Sequence, residues 1–171
     1  MQGWSRLFCG LDLSLTASGV CVLDEAGQAL HFATVGHKLK RGARVKDKVE
    51  RLVDIASCVM EVVKGAGEPR DPRPLVAIEG YAYGAYGSQP ELGELHGVVK
   101  SQLWLGLLVE PEIIAPTHAR KVVLGHGRLS KAAILEKVAA RGVECRNDNE
   151  ADAYVIAECL RKRHMEEIHD G

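Results

Sequence analysis

The sequence has no Cys-x-x-Cys pair, although it contains five cysteines. Closely paired cysteines are the usual ligands of structural zinc and the usual centres of thiol redox chemistry, so their absence argues against both. We interpret the cysteines as small hydrophobic core residues in a reducing compartment. They are scattered along the chain: Cys9, Cys21, Cys58, Cys145 and Cys159.

A long hydrophobic run is also missing. Arg6 is the only basic residue before the first apolar stretch, and Asp12 interrupts that stretch after a few residues. A membrane-spanning helix needs about 20 predominantly apolar residues, and a signal peptide has a basic start and a continuous apolar region. We therefore expect neither feature, and we expect a cytoplasmic protein.

Neither sign of charge is in marked excess, since 22 Lys and Arg stand against 23 Asp and Glu. This balance argues against a uniformly basic nucleic-acid-binding protein. The cations are nevertheless clustered: residues 37–51 hold seven basic and two acidic residues, and residues 117–131 hold four basic residues and no acidic one. Either segment alone is typical of a solvated surface, but the two together suit a phosphate backbone.

The length and composition predict one domain spanning residues 1–171. A chain of 171 residues with 46% hydrophobic and 26% charged residues is long enough to bury a sizeable core. Repeats, linkers and low-complexity segments are absent from the sequence.

The hydrophobic pattern predicts an α/β arrangement with a mixed sheet. Apolar segments at the N-terminus predict a three-stranded meander, and apolar residues at steps of four and three from Val45 to Val63 predict a long helix. The later elements are a strand over Leu75 to Glu79, a helix over Glu91 to Leu108, a strand over Glu112 to Ala115, a helix starting near Thr117, a helix over Lys131 to Arg141 capped by Ser130, and a final helix from about Asn149 to Arg163.

Three acidic residues occupy positions where they are able to converge. Asp12 ends the first predicted strand, Glu79 ends the fourth, and Asp152 lies in the first turn of the last helix. Phosphodiester hydrolysis by two divalent cations about 4 Å apart needs such a group of carboxylates. A buried Asp12 without partners would be costly, which favours a functional role.

The start of the last helix leaves two interpretations open. Asp148 precedes Asp152 by one helical turn, so it is a candidate fourth oxygen ligand if the helix already includes position 148. Alternatively, Asp148 and Glu150 serve only as capping residues that interact favourably with the helix dipole. Glu150 is expected to point away from Asp152, because residues two apart do not share a helix face.

Four segments, in the same order and over nearly the whole chain, resemble the RuvC family of Holliday junction resolvases. Gly10 to Gly19 (GLDLSLTASG) resembles the family's first strand and hairpin, and Ile78 to Tyr81 resembles its second acidic motif. Ala115 to Lys131 is similar to its basic segment, and Asp148 to Asp152 to its closing helix.

The resemblance implies an RNase H-like fold with a mixed five-stranded sheet flanked by helices. It also implies a homodimer that uses Mg²⁺ or Mn²⁺, two ions per site, to resolve four-way DNA junctions by paired symmetric nicks. By position, Asp12, Glu79 and Asp152 become metal ligands, with Asp148 and Lys131 as further candidate catalytic residues. The candidate DNA-binding residues are Lys121, Lys131, Arg120, Arg128, Tyr81 and Tyr83.

One position departs from the family pattern. Three residues before the last aspartate, where the family commonly carries Asp or His, this chain has Asn149. A neutral amide oxygen is a poorer ligand for a hard divalent cation than a carboxylate, so Asp148 is the candidate substitute.

Two features near the second acidic motif have open roles. Tyr81, Tyr83 and Tyr86 lie in a glycine-rich stretch, where they either stack on an unpaired base or pack into the core. In the following helix, Gly93 and Gly97 would allow a close dimer contact around Leu92, His96 and Val99. The alternative is that this helix face belongs to the core, with His96 structural.

The same features leave three other functions open. A nuclease acting on RNA:DNA hybrids or on branched DNA with relaxed specificity would use the same chemistry. The hairpin after Asp12 also suits an actin-like nucleotide-binding domain, but that architecture needs two such domains, and 171 residues hold one. A non-catalytic DNA-binding module would not need all three acids.

Overall fold

A computed structural model describes residues 6–65, 73–80 and 89–170. The strands and helices follow the predicted order. In chain order they are β1 (Phe8–Asp12), β2 (Ser18–Leu23), β3 (Ala29–Val35), α1 (Val45–Gly65), β4 (Leu75–Glu79), α2 (Gln89–Leu107), β5 (Glu112–Ile114), α3 (Pro116–Leu124), α4 (Lys131–Ala139) and α5 (Asp148–Asp170).

The predicted mixed five-stranded sheet is confirmed, with strand order β3-β2-β1-β4-β5. The first three strands are antiparallel, whereas β4 lies parallel to β1 and β5 lies parallel to β4. Helices α1 and α2 pack on one face of the sheet, and α3, α4 and α5 pack on the other. None of the helices in the described part of the chain is both long enough and apolar enough to cross a membrane.

Helix α5 is longer than its sequence pattern predicts. It continues seven residues beyond Arg163, because no proline or glycine interrupts it before Gly171. The His164 ring lies 5.6 Å from the ring of Phe8, so this extension still contacts the sheet. The other predicted ends agree with the structure to within about two residues, as is usual for helix and strand boundaries.

The cysteines only partly follow the prediction. Cys9, Cys21 and Cys159 are buried, as expected for small core residues, and all five cysteines are free thiols. Cys58 is exposed, so the prediction is wrong there, and Cys145 is only half-buried. In α1, Ile55 and Val59 face the core, whereas Cys58 faces solvent.

The predicted dimer contact on α2 needs correction. His96 and Val99 are buried within the chain, and Leu92 packs against the same core. This face of α2 packs against α1 and the sheet. The alternative interpretation, that these residues belong to the core, is therefore confirmed. Gly97 is exposed, and a Cβ added there would meet no atom within 4 Å.

Close approach of α5 to the sheet depends on two glycines. A Cβ built on Gly10 of β1 would lie 2.1 Å from the carbonyl oxygen of Ala153, and one built on Gly19 of β2 would lie 2.0 Å from that of Asn149. Any side chain at either position would push α5 away from the sheet. Small residues therefore decide how near α5, with Asp152, lies to β1.

We expect Gly10→Ala to lower the free energy of unfolding by about 3 kcal/mol, because the added methyl group meets backbone atoms that cannot rotate away. Gly97→Ala is the matched control, since its methyl group enters open space and alanine favours a helix. Denaturant unfolding of both variants checks this expectation. Equal stability of Gly10→Ala and the unaltered protein would contradict such a close packing of α5.

Candidate active site

Two carboxylates stand side by side at the ends of parallel strands. Asp12 is the last residue of β1, and Glu79 is the last residue of β4. The strands pair with Leu11 opposite Ile78, so the residues that follow are neighbours on one edge of the sheet. Because side chains alternate along a strand, Asp12 lies on the same face as Gly10, which is the face covered by α5.

Asp152 of α5 completes the group. One carboxylate oxygen from each of Asp12, Glu79 and Asp152 lies within 4.8 Å of the other two. The predicted convergence of the three acids is therefore confirmed. Asp152 is the fifth residue of α5, one residue further into the helix than expected, because the helix begins at Asp148 and not at Asn149.

Burial and the crowding of negative charge raise the pKa values of the two strand carboxyl groups. Burial, and then the charge of Asp152, raises the pKa of Asp12 to about 6. Burial, and then the charges of Asp12 and Asp152, raises the pKa of Glu79 to about 8. A hydrogen bond joins the Asp12 and Glu79 carboxyl groups, so near neutral pH the pair shares a proton.

Among the described residues, Arg120 of α3 is the cation that pairs with this group. Its Nη2 donates to Asp152 Oδ1 at 2.9 Å and lies 3.8 Å from Glu79 Oε1. The side chain is only 20% exposed. The sequence interpretation treated Arg120 as a DNA contact and missed its place among the acids. Its position one turn before the buried Val123 was the available signal.

Lys131 stands at the start of α4 and pairs with Asp148 at the start of α5. The hydrogen bond from Lys131 holds the pKa of Asp148 below its ordinary value. The same bond, followed by the charges of Asp148, Asp152 and Asp12, raises the pKa of Lys131. The ammonium group therefore lies within the electrostatic reach of the acids, while Asp148 lies outside the converging group of three.

The start of α5 is capped by Asn147, which sequence reasoning missed. Its Oδ1 accepts from the backbone N–H of Glu150 at 3.0 Å, and Glu150 Oε2 accepts from the backbone N–H of Arg146 at 2.8 Å. This arrangement resembles a capping box, and its signal was the Asn-x-x-Glu spacing from 147 to 150. Glu150 is buried and also bonded to Thr34, so its predicted orientation away from Asp152 is confirmed.

The remaining predicted site residues have simpler positions. Lys121 and Arg128 are exposed, and neither makes an ion pair with any other described residue. Tyr81, Tyr83 and Tyr86 lie outside the described residues, so their predicted contacts with DNA stay predictions.

The fold matches two solved structures of Thermus thermophilus RuvC. The first, a structure of RuvC, shares 22% identity at a TM-score of 0.71 and aligns with 94% of this chain and 97% of its own. The second, RuvC in complex with Holliday junction substrate, shares 20% identity at a TM-score of 0.70, over 94% of this chain and 96% of its own. The sequence matches no protein-family model and no curated protein. The predicted RNase H-like fold is thereby confirmed.

Proposed function

We propose that this protein is a divalent-metal-dependent endonuclease that resolves four-way DNA junctions by paired symmetric nicks. The observation that carries the proposal is the convergence of Asp12, Glu79 and Asp152 on a fold shared with RuvC. One of those RuvC structures is in complex with Holliday junction substrate, which supports junction DNA as the substrate of this chain too.

The donor set fits Mg²⁺ or Mn²⁺. Hard divalent cations prefer carboxylate oxygens. The raised pKa values of Asp12 and Glu79 reflect burial first and then the neighbouring negative charges, and a bound cation would offset both by stabilising the ionised carboxylates. Asp12, Glu79 and Asp152 would hold two such ions. When bound, these ions activate a water for attack on phosphorus and stabilise the leaving oxygen.

The cations around the acids have distinct roles in this proposal. Arg120 orients the Asp152 carboxylate through its 2.9 Å hydrogen bond and offsets part of the negative charge. Lys131, held near the acids by Asp148, stabilises the charge that develops on the scissile phosphate. Lys121, predicted to contact the same phosphate, stays a candidate for a backbone contact because its side chain is exposed.

The test is incubation with a synthetic four-way junction, a fork, a linear duplex and an RNA:DNA hybrid, each with and without Mg²⁺ or Mn²⁺. We expect cleavage at symmetric positions of the junction that depends on the metal. Preferential cleavage of the hybrid would favour the alternative nuclease. Failure to cut any of the four substrates with either ion would overturn the proposal.

The sequence predicts Asp148 as a fourth metal ligand. Its ion pair with Lys131 suggests instead that Asp148 holds this lysine near the acids. We expect Asp148→Asn to lower the junction cleavage rate at saturating Mg²⁺ about fivefold, because an exposed ion pair contributes about 1 kcal/mol. The half-saturating Mg²⁺ concentration should stay within about twofold of that of the unaltered protein, and Asn147 should keep the melting temperature unchanged.

A rate series against Mg²⁺ concentration separates the two roles of Asp148. Glu166→Gln, a charge removal at an exposed position further along α5, is the control. A raised half-saturating concentration with an unchanged maximal rate would instead establish Asp148 as a metal ligand.

We also propose a homodimer. The described residues of each chain contain one group of converging acids, and two coordinated nicks need two sites related by a two-fold axis. Light scattering should therefore report a dimer, either free or on junction DNA. A monomer under both conditions would contradict paired cleavage by a single assembly.

A further inference from the structure

The sheet topology places basic segments on both sides of the acidic group. Strands β1, β3, β4 and β5 all run in one direction, since β3 is antiparallel to β2 and β2 is antiparallel to β1. All four therefore end at the edge that carries Asp12 and Glu79. Residues 36–44 follow β3 at one side of this edge, and α3 follows β5 at the other.

The segment after β3 packs against the connection between β1 and β2. A Cβ built on Gly36 would lie 2.0 Å from the carbonyl oxygen of Thr16, which belongs to the turn that follows Asp12. The next residue, His37, places its Nδ1 3.0 Å from Asp54 Oδ2 of α1. The path of the segment is thus anchored both to the turn after Asp12 and to the helix.

Ion pairs divide the basic run of residues 37–51 into two parts. On and just before α1, the cations have acidic partners, since Arg44 pairs with Asp47, Lys46 with Glu50, and both Lys48 and Arg51 with Glu91. Asp54, the remaining nearby acid, pairs with His37.

Lys38, Lys40 and Arg41 are different. They are exposed, and no acidic group among the described residues lies within ion-pair distance of them. We call these three residues the β3 flank. Their charge is left for a partner outside the chain, and the regular spacing of anions on a nucleic-acid backbone suits such a cluster.

We propose that the β3 flank binds the phosphate backbone of the DNA duplex on one side of the cleavage site, while Lys121 and Arg128 bind it on the other side. This inference rests on the proposed function, and it assigns a DNA contact to residues remote in sequence from the basic segment of 117–131.

The dimensions of the sheet agree with a contact of this kind. Strands β3 and β5 are separated by four inter-strand spacings, or about 19 Å. Each nucleotide of one DNA strand advances about 3.4 Å along the axis of the duplex, so this distance corresponds to roughly six nucleotides. A duplex that passes along this edge with its scissile phosphate at the acids would thus direct its neighbouring phosphates towards the β3 flank on one side and towards α3 on the other.

The test compares two double variants that lose the same charge. Lys38→Gln/Lys40→Gln removes two cations without acidic partners, and Lys46→Gln/Lys48→Gln removes two cations that have them. Junction binding is measured with a chelator present, so that no cleavage occurs. We expect the first variant to bind about tenfold more weakly and to lose about 1.8 from the slope of log affinity against log salt, whereas the second changes little.

Truncated junctions locate the contact on the DNA. The difference between the unaltered protein and Lys38→Gln/Lys40→Gln should vanish when the duplex is shortened on one side of the cleavage site and persist when it is shortened on the other. Three results would overturn the proposal: equal losses of junction affinity for both double variants, no loss for the first variant, or a loss that is the same with either truncated junction.

These outcomes are separate from failure of the proposed function. A protein that cuts junctions but binds them equally well after Lys38→Gln/Lys40→Gln has no β3 flank contact, and its nuclease function stands. A protein that cuts no DNA refutes the nuclease function, while the salt dependence of binding still decides whether the β3 flank contacts phosphates.

Discussion

Replacing any one of the three converging acids by its amide should reduce junction cleavage at least about 1000-fold and leave junction affinity within about threefold. The variants are Asp12→Asn, Glu79→Gln and Asp152→Asn. Each removes one anionic ligand from a group whose oxygens lie within 4.8 Å of one another. A loss of about 4 kcal/mol of transition-state stabilisation corresponds to a factor of 1000.

Binding should survive because the cations that we propose to contact DNA lie outside the acidic group. Lys121 and Arg128 are exposed on α3 and in the turn that follows it, and removing a negative charge nearby does not weaken their attraction to phosphates. Glu136→Gln, an exposed acid on α4, serves as the control and should retain full activity. Substantial residual nicking by any of the three site variants would remove that residue from the proposed ligands.

Without divalent ions, Glu79→Gln should make the protein more stable at high pH. The folded state raises the pKa of Glu79 from 4.5 to about 8, so it binds that proton more tightly than the unfolded chain does. This contribution to stability is fully present below the unfolded pKa and is lost as the pH rises through the folded one. Above pH 8 the protein therefore holds an unfavourable buried charge that glutamine removes.

We expect the two proteins to have similar melting temperatures near pH 5. Near pH 9, Glu79→Gln should be more stable by about 3 kcal/mol. Thermal unfolding in the presence of a chelator at pH 5, 7 and 9 measures the difference. A difference in stability that does not change with pH would show that burial and the neighbours Asp12 and Asp152 do not raise the pKa of Glu79.

The same titration predicts how metal affinity depends on pH. A divalent cation must displace the proton that Asp12 and Glu79 share, so its affinity should rise up to about tenfold per pH unit between pH 6 and 8. Calorimetric titration with Mn²⁺ at pH 6, 7 and 8 provides the measurement. Affinity that is independent of pH over this range would contradict a shared proton in the site.

Strand periodicity made Asp12 and Glu79 predictable. A short apolar run that ends on an acid places that acid at a sheet edge, and two such runs in parallel strands place their acids together. The helix cap was equally local, since Asn147 and Glu150 interact across three residues. The prediction for Cys58 was wrong because burial on a helix depends on which side the neighbouring elements cover.

The sequence by itself determined the order and type of the elements and the acids at two strand ends, because these follow from interactions between residues near one another in the chain. It did not determine which helix faces are buried, since Val45 and Val49 belong to the predicted apolar face of α1 and are exposed. Only the tertiary structure decided that α5 packs against Gly10 and Gly19 closely enough for Asp152 to join those acids. It also decided which cations have acidic partners, since the pairing of Arg120 with Asp152, or of Lys48 with Glu91, joins residues 32 and 43 positions apart. Such pairings depend on how the helices pack on the sheet, and no local pattern specifies them.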